Sequence, residues 1–260
     1  MADQLAHEPA SRDGRIRWWD LVIAFFGGNL AGIALAVLFG LVGVLIAMRY
    51  GFRPTVVGLT GILRTSFWAN QASIVLSDAG LLAVAWFVTR RRFERPAEYF
   101  LSPAGPARLA WAIASGIGLS LLFNGGNELL ERYRHVHFVE TDIERVIQPH
   151  GPGEFVAAFA VIALFAPFVE EFFFRGMFFA WSRRVIGAWP GTLLTAFAFA
   201  AAHGHVFIHP GIQGQVFTFE LFLAGVVLAQ WVARTGTLRT SFAAHAAYNA
   251  TAVAFSVFFP

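Results

Sequence analysis

The chain has 260 residues, of which 57% belong to the apolar set Ala, Val, Ile, Leu, Met, Phe, Trp, Tyr and Cys and only 13% are charged. The mean hydropathy is +0.60. Soluble domains contain about 25% charged residues, because charge must cover their surface. The composition therefore predicts a polytopic membrane protein and excludes an intrinsically disordered chain, a secreted disulfide scaffold and a soluble nucleic-acid-binding protein.

The charge and the cysteine count narrow the chemistry further. The net charge is +3, and all 19 basic residues are Arg. We attribute this basic excess to cytoplasmic loops, which are rich in basic residues in membrane proteins, and expect no nucleic-acid partner. The chain contains no Cys, which excludes disulfides, a thiolate nucleophile and Cys ligands to a metal.

Seven mostly apolar segments are candidates for membrane-spanning helices, since a span needs about 20 such residues. In chain order they are Asp20–Met48, Ala72–Thr89, Leu109–Phe123, Phe155–Trp181, Pro190–His203, Phe217–Ala233 and Ser241–Pro260. The first is too long for the apolar region of a signal peptide and is interpreted as a span. The sequence thus predicts an all-α fold, a transmembrane helix bundle of about seven spans within a range of six to eight.

The spans divide the chain into four regions. Residues 1–19 form an N-terminal tail, residues 20–123 the first helices, residues 124–154 a polar loop outside the membrane with one short helix, and residues 155–260 a C-terminal helical core. Basic residues accumulate on the cytoplasmic side of membrane proteins. If seven helices alternate, one side carries Arg12, Arg15, Arg17, Arg90, Arg91, Arg92, Arg95, Arg183, Arg184, Arg234 and Arg239. The other side carries Arg49, Arg53, Arg64, Arg132, Arg134 and Arg145. This bias predicts a multi-pass protein of the cell membrane, cytoplasmic or inner, with a cytoplasmic N-terminus and an external C-terminus.

Several ionisable or polar side chains lie inside the predicted spans of the C-terminal region. A charged side chain at the bilayer centre costs about 2.5–3.5 kcal/mol on insertion scales, so each one is a candidate for function. The fourth span carries Glu170, Glu171 and Arg175, the fifth ends at His203, the sixth contains Glu220, and the seventh contains His245 and Asn249.

The spacing of these residues indicates how they pair. Glu171 and Arg175 are four residues apart, so they share a helix face and can form an ion pair. Glu170 points about 100° away from that face and is left free to take or give a proton. His245 and Asn249 also share a face, where two donors can stabilise an oxyanion.

The depths of three of these residues are also consistent with a single site. At 1.5 Å per residue, Glu170 and His203 each lie about 20 Å from the same membrane side, and His245 lies about 15 Å from it. We therefore expect the three side chains to meet near the middle of the membrane.

Three short motifs carry these residues in order. Glu170-Glu171-Phe172-Phe173-Phe174-Arg175 is an EExxxR motif, Phe199-Ala200-Ala201-Ala202-His203 is FxxxH, and His245-Ala246-Ala247-Tyr248-Asn249 is HxxxN. With this order and spacing, roughly residues 155–250 resemble the CPBP intramembrane proteases. That family includes the CAAX prenyl endopeptidases and bacterial relatives, some of them linked to bacteriocin self-immunity.

The resemblance implies a role for each motif residue. Glu170 together with His203 would activate the attacking water, His245 and Asn249 would stabilise the oxyanion, and Arg175 would pair with Glu171. The family is often described as metalloproteases, and a metal-free, glutamate-dependent mechanism is the other interpretation. If a divalent metal such as Zn²⁺ is used, the candidate ligands are Glu170, His203 and His245. Arg239 departs from the bulky apolar residue that relatives often have there.

The implied substrate is a membrane-embedded or lipidated peptide or protein, cleaved by an intramembrane endopeptidase. The alternative is a non-proteolytic immunity, scaffold or transport protein of the same fold. A haem protein with His203 and His245 as axial ligands would leave the adjacent glutamates and Arg175 unexplained. No HExxH zinc motif is present. We expect His205 and His209 to lie in a loop at the membrane surface and Glu220 to lie near the start of its helix.

Overall fold

The computed structural model of the protein describes residues 15–51, 53, 55, 66–134, 138, 148–209 and 211–258. Several parts of the sequence predictions lie outside these residues. They are the N-terminal tail up to residue 14 with Arg12, the basic residues Arg64 and Arg145, most of the predicted loop beyond Arg134, and Pro260 at the end of the last span.

The regular elements in the described residues are helices. In chain order they are α1 (Trp18–Arg49), α2 (Phe67–Arg92), α3 (Pro96–Phe100), α4 (Pro106–Arg134), α5 (Pro152–Ile186), α6 (Ala188–His203), α7 (His205–Ile208), α8 (Ile212–Thr235) and α9 (Leu238–Phe258). Each predicted span corresponds to one long helix. The observed helices extend mostly beyond the predicted ends, because capping and charged end residues continue a helix past its apolar stretch.

Within the described residues, six helical segments are long and apolar enough to cross a membrane. They are α1, α2, α4, α5, α8, and α6 together with α7. The last helix, α9, has 21 residues and a length of about 31 Å, close to the thickness of a hydrocarbon core. It is less apolar because it carries polar side chains such as His245 and Asn249. The protein is therefore a multi-pass helical bundle, and the predicted fold class is confirmed.

Helix α4 is longer than its apolar segment. The predicted span ended at Phe123, whereas the helix continues through polar residues to Arg134. In this extension Glu128 and Arg132 form an exposed ion pair at 3.2 Å, with the four-residue spacing that supports a solvated helix. The beginning of the predicted polar loop is thus the end of a helix.

Helices α1 and α2 pack through glycines that allow their backbones to touch. A Cβ atom built on Gly80 would overlap the backbone N of Gly32, and one built on Gly32 would lie 2.7 Å from Cα of Ser77. Small residues permit this close approach between membrane helices. Eleven residues after Gly32 along α1, a Cβ on Gly43 would meet no atom within 4 Å.

This difference between the glycines predicts a difference in stability. We expect Gly80→Val to lower the free energy of unfolding by at least about 1–3 kcal/mol, because the two backbones must separate to admit the side chain. The same substitution at Gly43 is expected to change it by no more than about 0.5 kcal/mol. Denaturant titration of the two variants in detergent measures both values, and equal stabilities would contradict the packing argument.

Polar contacts between three helices lie at one end of the bundle. Arg92, at the end of α2, binds Asp20 through two parallel hydrogen bonds, Nε to Oδ2 at 3.0 Å and Nη2 to Oδ1 at 2.9 Å. Arg184, near the end of α5, donates from Nη2 to the backbone oxygen of Ile16 at 2.6 Å. The start of α1 and the ends of α2 and α5 therefore lie at the same end of the bundle, where the sequence places its densest groups of Arg.

Candidate active site

Helix α5 has an irregular backbone where it passes the centre of the bundle. Two π-helical stretches, Phe159–Phe165 and Glu171–Phe178, flank the short α-helical segment Ala166–Glu170. That segment contains Pro167, which has no backbone N–H to donate. Such π-helical insertions are rare and occur frequently at functional sites.

The proline leaves one carbonyl of α5 without its helical donor. The N–H of Ala166 bonds to the oxygen of Val161, five residues back, so the next donor in this pattern, for Ile162, would come from Pro167. Asn249 of α9 fills the gap, with Nδ2 donating to the oxygen of Ile162 at 2.8 Å. The amide of Asn249 thus joins α9 to the irregular part of α5.

This arrangement predicts a coupling between Asn249 and Pro167. We expect Asn249→Leu to cost about 1–3 kcal/mol of stability, because the buried carbonyl of Ile162 loses its donor. In a Pro167→Ala background the cost is expected to be smaller, since Ala has an N–H for that carbonyl. Unfolding free energies of the two single variants and the double variant measure the coupling, and purely additive costs would contradict it.

The carboxylate of Glu171 accepts hydrogen bonds from three side chains. Oε1 accepts from Arg175 Nη1 at 2.8 Å and from His245 Nδ1 at 2.9 Å, and Oε2 accepts from the hydroxyl of Ser241. Glu171 is 1% exposed and Arg175 is 1% exposed. The ion pair expected from the four-residue spacing is therefore formed in the interior, where a charge needs both a partner and further hydrogen bonds.

The guanidinium of Arg175 is enclosed by its neighbours. Nη2 donates to the backbone oxygen of Gly225 at 3.3 Å, and Cζ lies 4.3 Å from the ring centroid of Phe199. A Cβ on Gly225 would lie 2.9 Å from Cα of Ala196, so the close approach of α6 and α8 brings this carbonyl within reach. Phe199 contributes a cation–π contact, and its ring also meets the ring of His245 edge to face at 5.6 Å.

Glu170 differs from its neighbour in surroundings and in exposure. Its side chain is 20% exposed, and Oε2 lies 3.8 Å from His203 Nε2 and 3.7 Å from His245 Nε2. These distances are too long for direct hydrogen bonds. A water molecule can bridge a separation of this size between Glu170 and either histidine.

The other ring nitrogen of each histidine is fixed by an acceptor. Nδ1 of His245 faces the carboxylate of Glu171, and Nδ1 of His203 faces the backbone oxygen of Phe199 at 2.8 Å. Both acceptors lack protons, so we assign the Nδ1 proton to each ring. This leaves Nε2 of both rings turned towards Glu170.

The structure brings together most of the residues singled out in the sequence. Glu170, Glu171, Arg175, His203 and His245 form one cluster between α5, α6 and α9. Their meeting point agrees with the expected common depth. Their catalytic roles stay predictions.

The remaining candidates occupy other positions. Asn249 contacts α5 about one turn away from His245 through the carbonyl of Ile162. Glu220 accepts a hydrogen bond from Asn127 of α4 at 3.4 Å. His209 lies in the connection between α7 and α8, as expected, but it is buried, with only 2% exposed, whereas His205 begins the short helix α7 instead of lying in a loop. The sequence interpretation missed that these two rings stack on each other and pack against an aromatic neighbour.

Sequence reasoning also missed Ser241. Its hydroxyl supplies the third hydrogen bond to Glu171, and its position four residues before His245 places both on one face of α9. The four-residue spacing that links His245 to Asn249 also links His245 to Ser241, towards the start of the helix, and could have identified it.

A narrow cavity adjoins the cluster on the side of α4 and α8. It reaches His245 and Phe199, and its other walls are mostly apolar, with Leu119, Leu221 and Leu228 among them. Helix α4 contacts α9 extensively and α8 only sparsely. The cavity therefore lies where two membrane helices are least tightly joined.

Among the described residues, no group of three or more His, Asp or Glu side chains has the arrangement of a metal site. The candidate ligands Glu170, His203 and His245 are neighbours, but their side chains do not form such a group in this structure.

Residues 152–251 match the family model described as type II CAAX prenyl endopeptidase Rce1-like. The matched region is therefore similar to CAAX protease family domains. This region extends from the start of α5 into α9 and contains all six motif residues, including Asn249. The protein is thus a multi-pass membrane protein related to CAAX-type peptidases. The chain matches no curated protein and no solved structure.

The matched region explains why the cluster is assembled from α5, α6 and α9. These helices belong to that region, whereas α1, α2 and α4 lie before it. Helix α2 nevertheless packs against the segment of α5 that contains Glu170. The surroundings of the Glu170 cluster therefore include residues from outside the matched region.

Proposed function

We propose that the protein is an intramembrane endopeptidase that hydrolyses a peptide bond with a water activated by Glu170. The observation that carries the proposal is that two adjacent glutamates have different interaction partners. Glu171 is neutralised by Arg175 and holds His245, whereas Oε2 of Glu170 faces two imidazoles and has no guanidinium partner. One carboxylate organises the site, and the other is left to move a proton.

The proposed reaction is a balanced hydrolysis. A water bound to Glu170 Oε2, beside His203, loses one proton to the carboxylate while its oxygen bonds to the peptide carbonyl carbon. The negative charge that develops on the carbonyl oxygen is stabilised from the α9 side by the second N–H of Asn249 if the substrate reaches it, and by His245 when Nε2 as well as Nδ1 carries a proton. Glu170 then passes its proton to the leaving nitrogen as the C–N bond breaks.

The proposed substrate is a membrane-embedded or lipidated peptide or protein. The site lies inside a helical bundle, and the narrow apolar cavity beside His245 is lined partly by α4 and α8, which contact each other only sparsely. An apolar chain in the bilayer can approach along such a surface without losing its lipid contacts. We further propose the cell membrane as the location, with the Arg-rich end of the bundle and the N-terminus in the cytoplasm, following the basic-residue bias.

Cleavage of defined peptides by the purified protein tests this function. The protein in liposomes is mixed with a set of membrane peptides, each made with and without a lipid on a cysteine near its C-terminus, and the products are identified by mass spectrometry. We expect cleavage at one bond of at least one peptide. Two results together would instead favour a non-proteolytic role. The well-folded protein would cleave none of the peptides, and the Glu170→Ala variant would keep full function in cells.

The same assay addresses the metal. A strong chelator, followed by added Zn²⁺, is applied to the active protein. We expect the rate to be unchanged, because water activation is assigned to the carboxylate of Glu170. Loss of activity with the chelator and recovery with Zn²⁺ would contradict this assignment and would favour Glu170, His203 and His245 as ligands.

A further inference from the structure

Helix α2, outside the matched domain, presents two polar side chains to the interior. Gln71 and Asp78 are seven residues apart, so they point in directions that differ by only about 20° around the helix. Ser77 and Gly80, which pack against the backbone of α1, point about 100° and 160° away from Asp78 around the helix. Gln71 and Asp78 therefore lie on the face of α2 that is turned away from α1.

Both side chains have polar atoms without a partner in the described protein. Gln71 is 4% exposed, and neither its Nε2 nor its Oε1 has a hydrogen-bond partner among the described residues. The same holds for the buried Oδ2 of Asp78. A buried amide or carboxylate in a membrane protein costs several kcal/mol unless something polar satisfies it.

Asp78 lies close to the catalytic candidate. Its carboxylate interacts electrostatically with that of Glu170, and α2 packs against Ala166–Glu170 of α5. The buried Oε2 of Glu170 also lacks a hydrogen-bond partner among the described residues. Two buried carboxyl oxygens, on helices that pack against each other, thus have no hydrogen-bond partner among the described residues.

A water molecule supplies the donors that this arrangement needs. Its two protons can be donated to two acceptors at once, and its oxygen then keeps both lone pairs for other contacts or for attack. Gln71, with one donor group and one acceptor, suits a chain of waters better than it suits an apolar substrate. Its place on the same face, about 10 Å along the helix, extends the polar surface away from Glu170.

We propose that Asp78 belongs to the active site, where its Oδ2 and Oε2 of Glu170 hold the hydrolytic water between them, and that the α2 face with Gln71 is the route by which water arrives. The proposal rests on the hydrolytic function proposed above. Glu170 takes one proton of the water and delivers it to the leaving amine. Asp78 orients the second O–H, whose proton is released from the new carboxyl group to solvent after the C–N bond has broken.

Cysteine accessibility tests the route without any need for a substrate. The chain has no Cys, so Gln71→Cys, Asp78→Cys and Ser77→Cys each create a single thiol. We expect a small charged thiol reagent to modify positions 71 and 78 at least about ten times faster than position 77, because only hydrated thiols ionise and react. The exposed Glu94→Cys is the positive control, and equal protection of positions 71, 77 and 78 would overturn the route.

Kinetics test the role of Asp78. Asp78→Asn is expected to lower kcat by about 10²-fold with little change in KM, because the water is bound but less well oriented. Ser77→Ala, on the surface of α2 that packs against α1, is the matched control, and thermal unfolding shows whether each variant is folded. Unchanged kcat in a folded Asp78→Asn protein would overturn the water-holding role. Thiols at 71 and 78 could react although the wild-type protein cleaves no peptide. That result would contradict the peptidase function and with it the catalytic role of Asp78, but it would still support a hydrated face of α2.

Discussion

Glu170→Gln is expected to reduce the cleavage rate by about 10²–10⁴-fold while KM changes little, because the amide keeps the shape of the side chain but cannot accept the proton of the water. The measurement is the initial rate of product formation in liposomes over a range of peptide concentrations. The structure gives no reason for a loss of folding, since Glu170 makes no direct hydrogen bond to its two histidine neighbours.

Glu220→Gln is the matched control for this experiment. Glu220 is another intramembrane glutamate, but its hydrogen bond is to Asn127 on α4 rather than to a member of the Glu170 cluster. Its substitution is expected to leave the rate within about threefold of wild type, as for a polar change outside the reacting groups. Equal losses of cleavage rate in the two variants would mean that activity depends on either intramembrane glutamate, and would contradict a specific role of Glu170 in activating the water.

His203→Ala is expected to produce a smaller loss than Glu170→Gln. His203 contributes one imidazole nitrogen next to Glu170, and its own Nδ1 is held by a carbonyl of the same helix, so its removal disturbs few other contacts. A full rate in this variant would contradict a shared role of the two residues in activating the water. A loss equal to that of Glu170→Gln would indicate that they act as one unit.

Part of the site could be predicted from spacing alone. The four-residue interval between Glu171 and Arg175 correctly predicted their ion pair, because residues at that interval share a helix face. The depths of Glu170, His203 and His245, counted from the ends of their spans, agree with the observed cluster. Rise per residue and membrane thickness are strong constraints for helices that cross a bilayer.

Other features could not be predicted because they depend on contacts between helices. The partner of Asn249 is a carbonyl of α5, which becomes available only because the backbone is π-helical where Pro167 has no N–H. A sequence interpretation that assumes a regular α-helix does not predict that this carbonyl lacks a backbone donor. The burial of His209 likewise depends on packing against Phe217 of the following helix, which a local hydropathy pattern does not report.

Asp78 is an intermediate case. The rule that an intramembrane carboxylate is a candidate for function applies to it from the sequence. No spacing relation, however, connects a residue of the second span to Glu170 of the fourth. The packing of α2 against α5 provides that connection, so its significance appears only in three dimensions.

Removing one partner of the buried ion pair is expected to destabilise the protein by about 3–5 kcal/mol, because the other charge is left in the interior without compensation. Of the two single variants, Glu171→Gln should cost more than Arg175→Met. Glu171 accepts from Arg175, His245 and Ser241, whereas loss of the guanidinium still leaves the carboxylate with two donors. The double variant should cost less than the sum of the single ones, since it leaves no isolated charge.

Unfolding free energies of the four proteins, obtained by denaturant titration in detergent, yield the coupling energy of the pair. The exposed pair Glu128–Arg132 has the same four-residue spacing and is the matched control, with an expected coupling of no more than about 0.5 kcal/mol. Similar couplings for the two pairs would contradict the idea that burial strengthens the interaction between Glu171 and Arg175. A large coupling confined to Glu171 and Arg175 would mean that this ion pair stabilises the position of His245. Glu171 then has a structural role, and the adjacent Glu170 is the carboxylate available for proton transfer.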